Sequence, residues 1–310
     1  MFWEDQLLAL YDKILRHGDD RMDRTGVGTR ALFGERLEIE LLGGMLPLAT
    51  TKRVPFKAVL TELLWFIEGS GDERRLAELL HGTRDPEKKT IWSPNAEHTS
   101  GSSFKPAFKG DLGRVYGVQW RNWQSFRLHG YEDYLTHDDG STTYFGAKVL
   151  KSQIDQLQQV ADKLVNNPTD RRIVLSAWNP GELDQMALPP CHMFAQFFVT
   201  SDRRLSCQMY QRSVDSFLGL PFNIASYALL TYMLAYTTGC IADRLIMVLG
   251  DTHIYHNHFD QVREQLRRTT RVPPIIEING DVPRFDQFTT ANFNVLNYNP
   301  HPPIKAEMAA

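Results

Sequence analysis

Polar and reactive side chains recur in this sequence inside runs that are otherwise apolar. The sharpest case is Pro189-Pro190-Cys191-His192. Two successive proline rings fix φ and remove two backbone donors, so the thiol rides on a stiff turn and can be aimed. Cysteine acts as a nucleophile through its thiolate, a form that nearby cations favour. Arginines in polar contexts supply such cations: Arg24, Arg171, Arg172 and Arg212. Guanidinium offers planar, bidentate, permanently charged donors, which is what a phosphate dianion requires. A lone cysteine is more commonly an inert core residue and a single arginine a surface one. The proline turn and the set of arginines tilt the reading towards chemistry.

The run from Tyr210 to Tyr227 adds Gln211, Ser213, Asp215 and Asn223 to Arg212. Buried donors and acceptors in that number need partners, or a ligand. Asn223, just inside a helix N-terminus, either caps that helix or presents a donor and an acceptor to a lactam such as uracil. Glu62 sits among Leu60, Leu63, Leu64 and Trp65. It lies on the polar edge of its helix or is buried with a raised pKa. His253 and Tyr255 are two apart and share a face if the segment is extended. His192 reads as a local hydrogen-bonding group, and His256-Asn257-His258 lacks a cysteine or carboxylate at ligand spacing, so no metal is expected.

These residues need elements to hold them. The periodicity predicts helices over 3–16, 56–69, 147–166, 220–238 and 257–268, and strands over 31–41, 171–178, 193–200, 204–212 and 244–249. Arg171 and Arg172 then open a strand and face opposite ways, so they do not serve one site of their own subunit in the same manner. Residues 93–112 and 124–146 read as polar surface insertions, and residues 17–30 as a Gly-, Asp- and Arg-rich loop. Strands and long helices are mixed without βαβ regularity, which predicts one α+β domain spanning 1–310, a mixed sheet packed with helices.

The bulk numbers agree with such a fold: 310 residues, 42% hydrophobic and 23% charged. A net charge of −3 gives no global basic field for nucleic acid. Three cysteines without a C-x-x-C pattern point away from a disulfide framework. The N-terminus lacks the basic and apolar regions of a signal peptide, and the most apolar run, 217–235, is interrupted by Pro221, Asn223, Ser226 and Thr231. It reads as a buried helix rather than a membrane span, and a cytoplasmic location is expected.

Over nearly its whole length the chain resembles the thymidylate synthase family. The matching runs are D-R-T-G-V-G-T (23–29), E-L-L-W-F (62–66), I-W (91–92), V-Y-G-V-Q-W-R (115–121), D-R-R-I-V-L-S-A-W-N (170–179), M-A-L-P-P-C-H (186–192), 210–227 and G-D-T-H-I-Y (250–255). The resemblance implies a homodimer whose sheets pack back to back, with dUMP and 5,10-methylenetetrahydrofolate as substrates. It implies that Cys191 adds to C6 of dUMP, and that Arg24, Arg212 and Ser213 hold the phosphate with Arg171 and Arg172 of the other subunit. Gln211 is a further implied substrate contact. Asn223 is implied to read the uracil edge, and His253 and Tyr255 the ribose hydroxyl. Ile91, Trp92, Asp215, Leu218, Gly219, Phe222 and the tail residue Ala309 fall at positions lining the folate site. Glu62 and Tyr116 fall at positions ordering a proton-transferring water network.

The implied reaction is transfer of a one-carbon unit to C5, completed by hydride, giving dTMP and dihydrofolate. Water attack on the exocyclic methylene would instead give 5-hydroxymethyl-dUMP, and hydroxymethylases share nearly all these motifs. Two departures leave that alternative open: Arg114 stands where proline is usual, and the chain ends in Met-Ala-Ala. Ala310 would bury about 1–1.5 kcal/mol less than valine, at ~0.8 kcal/mol per methylene. A non-catalytic nucleotide- or RNA-binding protein is a third reading, against which the joint presence of Cys191, Arg212 and Asn223 argues.

Overall fold

The helix expected over 220–238 runs from Gly219 to Thr238 and is apolar on every side. Such a helix has to be sheathed, because any face left in water would lose its burial. Its sheath is a six-stranded sheet on one side and the helix Phe56–Glu68 on the other. Gly239, with φ of 65°, ends the long helix in the left-handed conformation, and Gly69, with φ of 76°, does the same for the shorter one.

The computed structural model describes residues 2–23, 25–97 and 104–308. In chain order its elements begin with α1 (Trp3–His17), β1 (Asp19–Arg21), β2 (Thr29–Glu40), α2 (Phe56–Glu68), α3 (Glu73–His81), α4 (Ser93–Glu97) and α5 (Tyr116–Arg121). A hairpin of β3 (Trp123–Thr136) and β4 (Thr142–Ile154) leads to α6 (Gln156–Asn166), β5 (Val174–Ser176), β6 (His192–Val199) and β7 (Arg204–Asp215). The rest is α7 (Gly219–Thr238), β8 (Ile241–Tyr255), α8 (Phe259–Leu266), β9 (Ile275–Ile278) and β10 (Phe293–Leu296).

The main sheet has the order β1-β2-β8-β7-β6-β5. Neighbours are antiparallel except β7 and β8, which run parallel and are joined across the face by α7. The fold is α+β, as the sequence predicts. Alternation sorts each strand: Cys207 and Met209 of β7 and Leu245, Met247 and Leu249 of β8 are fully buried beneath the helices. Phe194 and Phe198 of β6, by contrast, remain exposed on the opposite face.

Four expectations are corrected. Residues 124–146 are not an irregular loop: they form most of the β3–β4 hairpin, whose long exposed strands lack the one-sided burial that periodicity detects. Residues 147–154 therefore belong to β4, and helix starts only at Gln156, where Asp155 caps it by accepting from the Gln158 N–H. Arg171 and Arg172 lie on a turn before the short β5, not on a strand, so alternation does not decide where they point. The segment 93–112 is only partly superficial, since Ser93, Phe104 and Leu112 are buried; residues 98–103 lie outside the described residues.

The helices α2 and α5 meet at Gly117. A β-carbon there would come within 2.3 Å of the Phe66 carbonyl oxygen and 2.6 Å of its Cα, both backbone atoms that cannot swing aside. Gly117→Ala is expected to destabilise the fold by about 2–3 kcal/mol through overpacking. A lowered urea midpoint with an unchanged slope checks it, and an unchanged midpoint refutes the close approach.

Candidate active site

Cys191 stands at the join between the proline turn and β6, half-buried. Its N–H donates to the Tyr116 hydroxyl at 2.7 Å, and its carbonyl accepts the Arg212 N–H at 2.9 Å. The β6–β7 ladder shifts register between His192 and Phe194. Such a bulge re-aims side chains, here immediately beside the thiol. Arg212 braces the same turn from β7: Nε donates to the Pro190 carbonyl and Nη2 to the Pro189 carbonyl, each at 2.9 Å. Its guanidinium also lies 5.2 Å from the Trp178 ring centroid.

Burial pushes the pKa of the Cys191 thiol up from the usual 9.0, outweighing the opposing pull of Arg212 and of the Tyr116 hydroxyl. Within this single chain, where Arg212 is the one cation acting on the sulfur, burial favours the thiol over the thiolate. Cys207, sealed under α7, is pushed further, to about 12, and is inert.

His192 follows the local role expected of it. Its Nδ1 meets the Tyr227 hydroxyl at 3.1 Å, its ring stacks on Tyr116 at 4.1 Å, and burial lowers its pKa to about 3. A neutral imidazole so enclosed is no general base. Glu62, on α2, accepts from the Trp92 indole N–H at 2.7 Å. Glu62 is half-buried, and desolvation raises its carboxyl to about 7 despite that hydrogen bond. Trp92 contacts Tyr116 with ring centroids 5.6 Å apart, and Tyr116 binds Cys191. Glu62, Trp92, Tyr116 and Cys191 thus form one continuous series of contacts.

Asn223 is not a cap. Leu218 holds the N-cap position of α7, and the Asn223 Oδ1 accepts from Gln211 Nε2 at 3.0 Å. Gln211 also donates to the Ser213 carbonyl, while its own Oε1 is buried without a partner. The unsatisfied buried Oε1 of Gln211 is a place where a ligand donor is needed. Because Gln211 pairs with His192 across the ladder, this polar pair adjoins the cysteine turn.

Asp215 ends β7, and its Oδ1 accepts from the Phe217 and Leu218 N–H groups at 3.1 Å. It lies in register with His253 of β8, as Ser213 does with Asp251. His253 and Tyr255 share the strand face, their rings edge-on at 5.2 Å. Ile91 is exposed beside the buried Trp92, and Leu218, Gly219 and Phe222 surround the start of α7. Arg171 makes no hydrogen bond or ion pair through its guanidinium with any described residue, whereas Arg172 is tied to Asp170 at 2.9 Å. Within the chain neither bonds to the cysteine turn. Arg24 and Ala309 lie outside the described residues.

The geometry adds residues that the sequence reading passed over. Asp251 accepts from His253 Nδ1 at 2.8 Å and from Arg21 at 2.9 Å, which leaves His253 Nε2 for another partner. The His253 hydrogen bond, first among its causes, holds the Asp251 carboxyl below the usual range. Asp251 stands two before His253, the spacing that puts both on one strand face. Lys52 is buried against Phe217, its Nζ 3.6 Å from the ring centroid and bonded to the Phe217 carbonyl, and burial lowers its pKa to about 7. Nothing in its local sequence, T-T-K-R, signals that.

Arg114, the unusual residue beside Val115 and Tyr116, has a structural explanation. Its N–H donates to the Gln185 carbonyl at 2.9 Å, which proline could not do. Its side chain pairs with the buried Glu182 at 2.6 Å and donates to the Asn122 carbonyl. Arg114→Ala is expected to cost about 3 kcal/mol by leaving Glu182 short of a cation. Thermal or urea unfolding checks it, and a change within error would show the pair to be idle.

Two concavities of about 600 and 280 Å³ lie elsewhere, one beside Trp3, Glu38 and Arg204, the other beside Trp123, Gln156 and Arg172. Neither is lined by Cys191, Glu62 or Asn223, so chemistry rather than size locates the site. Among the described residues no group of three or more His, Cys, Asp or Glu is placed to hold a metal, and no helix is long and apolar enough to cross a membrane.

A family model described as thymidylate synthase matches residues 5–310. A thymidylate synthase of human herpesvirus 8 type P (isolate GK18) is 45% identical over 308 residues, covering 99% of this chain and 84% of the viral protein. A thymidylate synthase of Saccharomyces cerevisiae (strain ATCC 204508 / S288c) is 43% identical over 317 residues, covering 99% of this chain and 97% of the yeast protein. With a full-length match and the cysteine turn braced by Tyr116 and Arg212, the chain belongs to the thymidylate synthase family.

Proposed function

We propose that this chain converts dUMP to dTMP with 5,10-methylenetetrahydrofolate as co-substrate, and that it works as a homodimer. The observation that carries the reading is the placement of Cys191 between the Tyr116 hydroxyl and Arg212, next to the amide pair of Gln211 and Asn223. The amide pair supplies what a uracil edge asks for: donor and acceptor capacity, with one buried acceptor unsatisfied. Arg212, two of whose donors brace the proline turn, keeps others for a phosphate. A phosphate and a planar base anchored in this way would hold C6 of the pyrimidine against the Cys191 sulfur.

When Sγ bonds to C6, the electron pair of the C5–C6 double bond moves towards C5, which becomes the carbon nucleophile. The thiol proton leaves as this happens, and the Glu62 carboxylate takes it up through bridging water. Glu62, titrating near neutral pH, can accept and return protons through ordered water. Asp251 fixes the His253 ring, leaving Nε2 for the ribose hydroxyl. The folate, when bound, supplies the one-carbon unit and the hydride. The apolar Ile91 beside Trp92, the half-buried Phe222 and the Asp215 carboxylate fit a ring system that carries amide and amine groups. Phe194 and Phe198, uncovered on the sheet face, and the unpaired Arg171 support back-to-back pairing that lends arginines to a second subunit.

Methylation is preferred over hydroxymethylation because both relatives bear the synthase name and Arg114 locks its loop rather than opening it. The test is to incubate dUMP and methylenetetrahydrofolate with the chain and weigh the nucleotide. Expected is dTMP, with dihydrofolate absorbance rising in step. A hydroxylated nucleotide with tetrahydrofolate released overturns the assignment to methylation, and failure of Cys191 to react or to be shielded by dUMP overturns the enzyme reading.

A further inference from the structure

The β3–β4 hairpin carries none of the site residues named above, and its fold leaves many of its apolar side chains uncovered. Beyond its base at Trp123 and Ile154, almost every residue of both strands is exposed. Phe126, Leu128, Tyr134, Leu135 and Val149 are each more than half exposed. Single exposed apolar residues are ordinary, but a continuous set on an isolated two-stranded ribbon is not. Such a ribbon is marginal in water without a partner.

Its charges are segregated by position. The half nearest the body, residues 123–130 and 147–154, carries Arg127, Lys148 and Lys151 and no acid. The tip half, residues 131–146, carries Glu132, Asp133, Asp138 and Asp139 and neither Lys nor Arg. Among the described residues none of these charges enters an ion pair; Lys151 lies over the Phe126 ring, 5.8 Å from its centroid. The strands are roughly 45 Å long at about 3.4 Å per residue. The centres of the two charged halves therefore lie roughly 20 Å apart, at about 3.4 Å per residue, more than the roughly 8 Å over which physiological salt screens.

We propose that the hairpin is a homotypic contact, docking antiparallel on the hairpin of a second copy. In that arrangement each basic base lies against an acidic tip, and one two-fold axis satisfies both ends at once. A parallel arrangement would set base against base and tip against tip. The apolar side chains interleaved with these charges supply the buried area, and the charges set the register. A basic or acidic partner of another kind would match only one half. The contact uses residues outside the sheet face proposed for the catalytic dimer, so it would join dimers into a larger assembly.

Sedimentation velocity on the full chain tests this, with three variants: K148E/K151E, E132K/D138K and the combination of all four. Each charge reversal alone is expected to weaken the hairpin-dependent association by roughly 10–100-fold, the scale of effect for like charges placed across an interface. The combined variant, self-complementary again, is expected to regain it. High salt should weaken the wild-type association and that of the combined variant alike. Identical sedimentation of all four proteins overturns the proposal, as does failure of the combined variant to recover while circular dichroism shows it folded. None of these side chains is in the catalytic site, so dUMP turnover should be unchanged. Loss of the hairpin contact is thereby distinguished from failure of the catalytic reading.

Discussion

Replacing Cys191 by alanine should abolish turnover while leaving dUMP bound. The thiol is the only nucleophile presented by the cysteine turn, and the neutral, enclosed His192 cannot take its place. Removing a nucleophile without a substitute costs roughly 10⁴–10⁶-fold in rate. Binding is expected to persist because its anchors are other residues: Arg212, held by the Pro189 and Pro190 carbonyls, and the Gln211–Asn223 pair. Equilibrium dialysis of dUMP alongside single-turnover kinetics separates the two effects. Retained turnover in Cys191→Ala would remove the covalent step from the mechanism. Since burial raises the resting thiol, alkylation of wild-type Cys191 should also quicken as pH rises and slow when dUMP covers it.

Glu62→Gln should give the second largest loss, roughly 10²–10⁴-fold in kcat, the range for removing a general acid–base group. The glutamine keeps the size and can still accept from Trp92, so KM for dUMP should move little. The pH profile makes the test specific. Burial holds the Glu62 carboxyl at about 7 instead of 4.5, so its neutral form is the one the fold prefers. The stability drawn from that neutral form is fully present below the ordinary carboxylate pKa and is lost as pH rises through 7. Glu62→Gln should therefore flatten the pH dependence of unfolding in that window and delete the limb of the rate profile near pH 7. An unaltered rate profile would reduce Glu62 to a structural carboxyl.

Much of this architecture is legible along the chain, and particular residues show why. Gly69 and Gly239 end α2 and α7 because a left-handed residue is needed there, a local requirement that one residue type states openly. The runs at 193–200 and 204–212 alternate because one face of their sheet is buried and the other is not. The β3–β4 hairpin escaped because its strands are exposed on both faces, so alternation had no buried side to report. Helix periodicity was then carried too far back, across residues 147–154 that belong to a strand.

The sequence by itself determined the α+β class, the cysteine on a proline turn and the set of polar residues gathered around it, because residue type and short-range spacing encode them. The tertiary structure alone decided their electrostatic state. Whether Cys191 rests as thiol or thiolate and whether Glu62 is neutral depend on how far each is removed from water by residues distant in the chain. The same holds for Asn223, released from capping once Gln211 of a neighbouring strand meets its amide. Desolvation is a property of packing, and packing is complete only when the sheet and α2 close around α7.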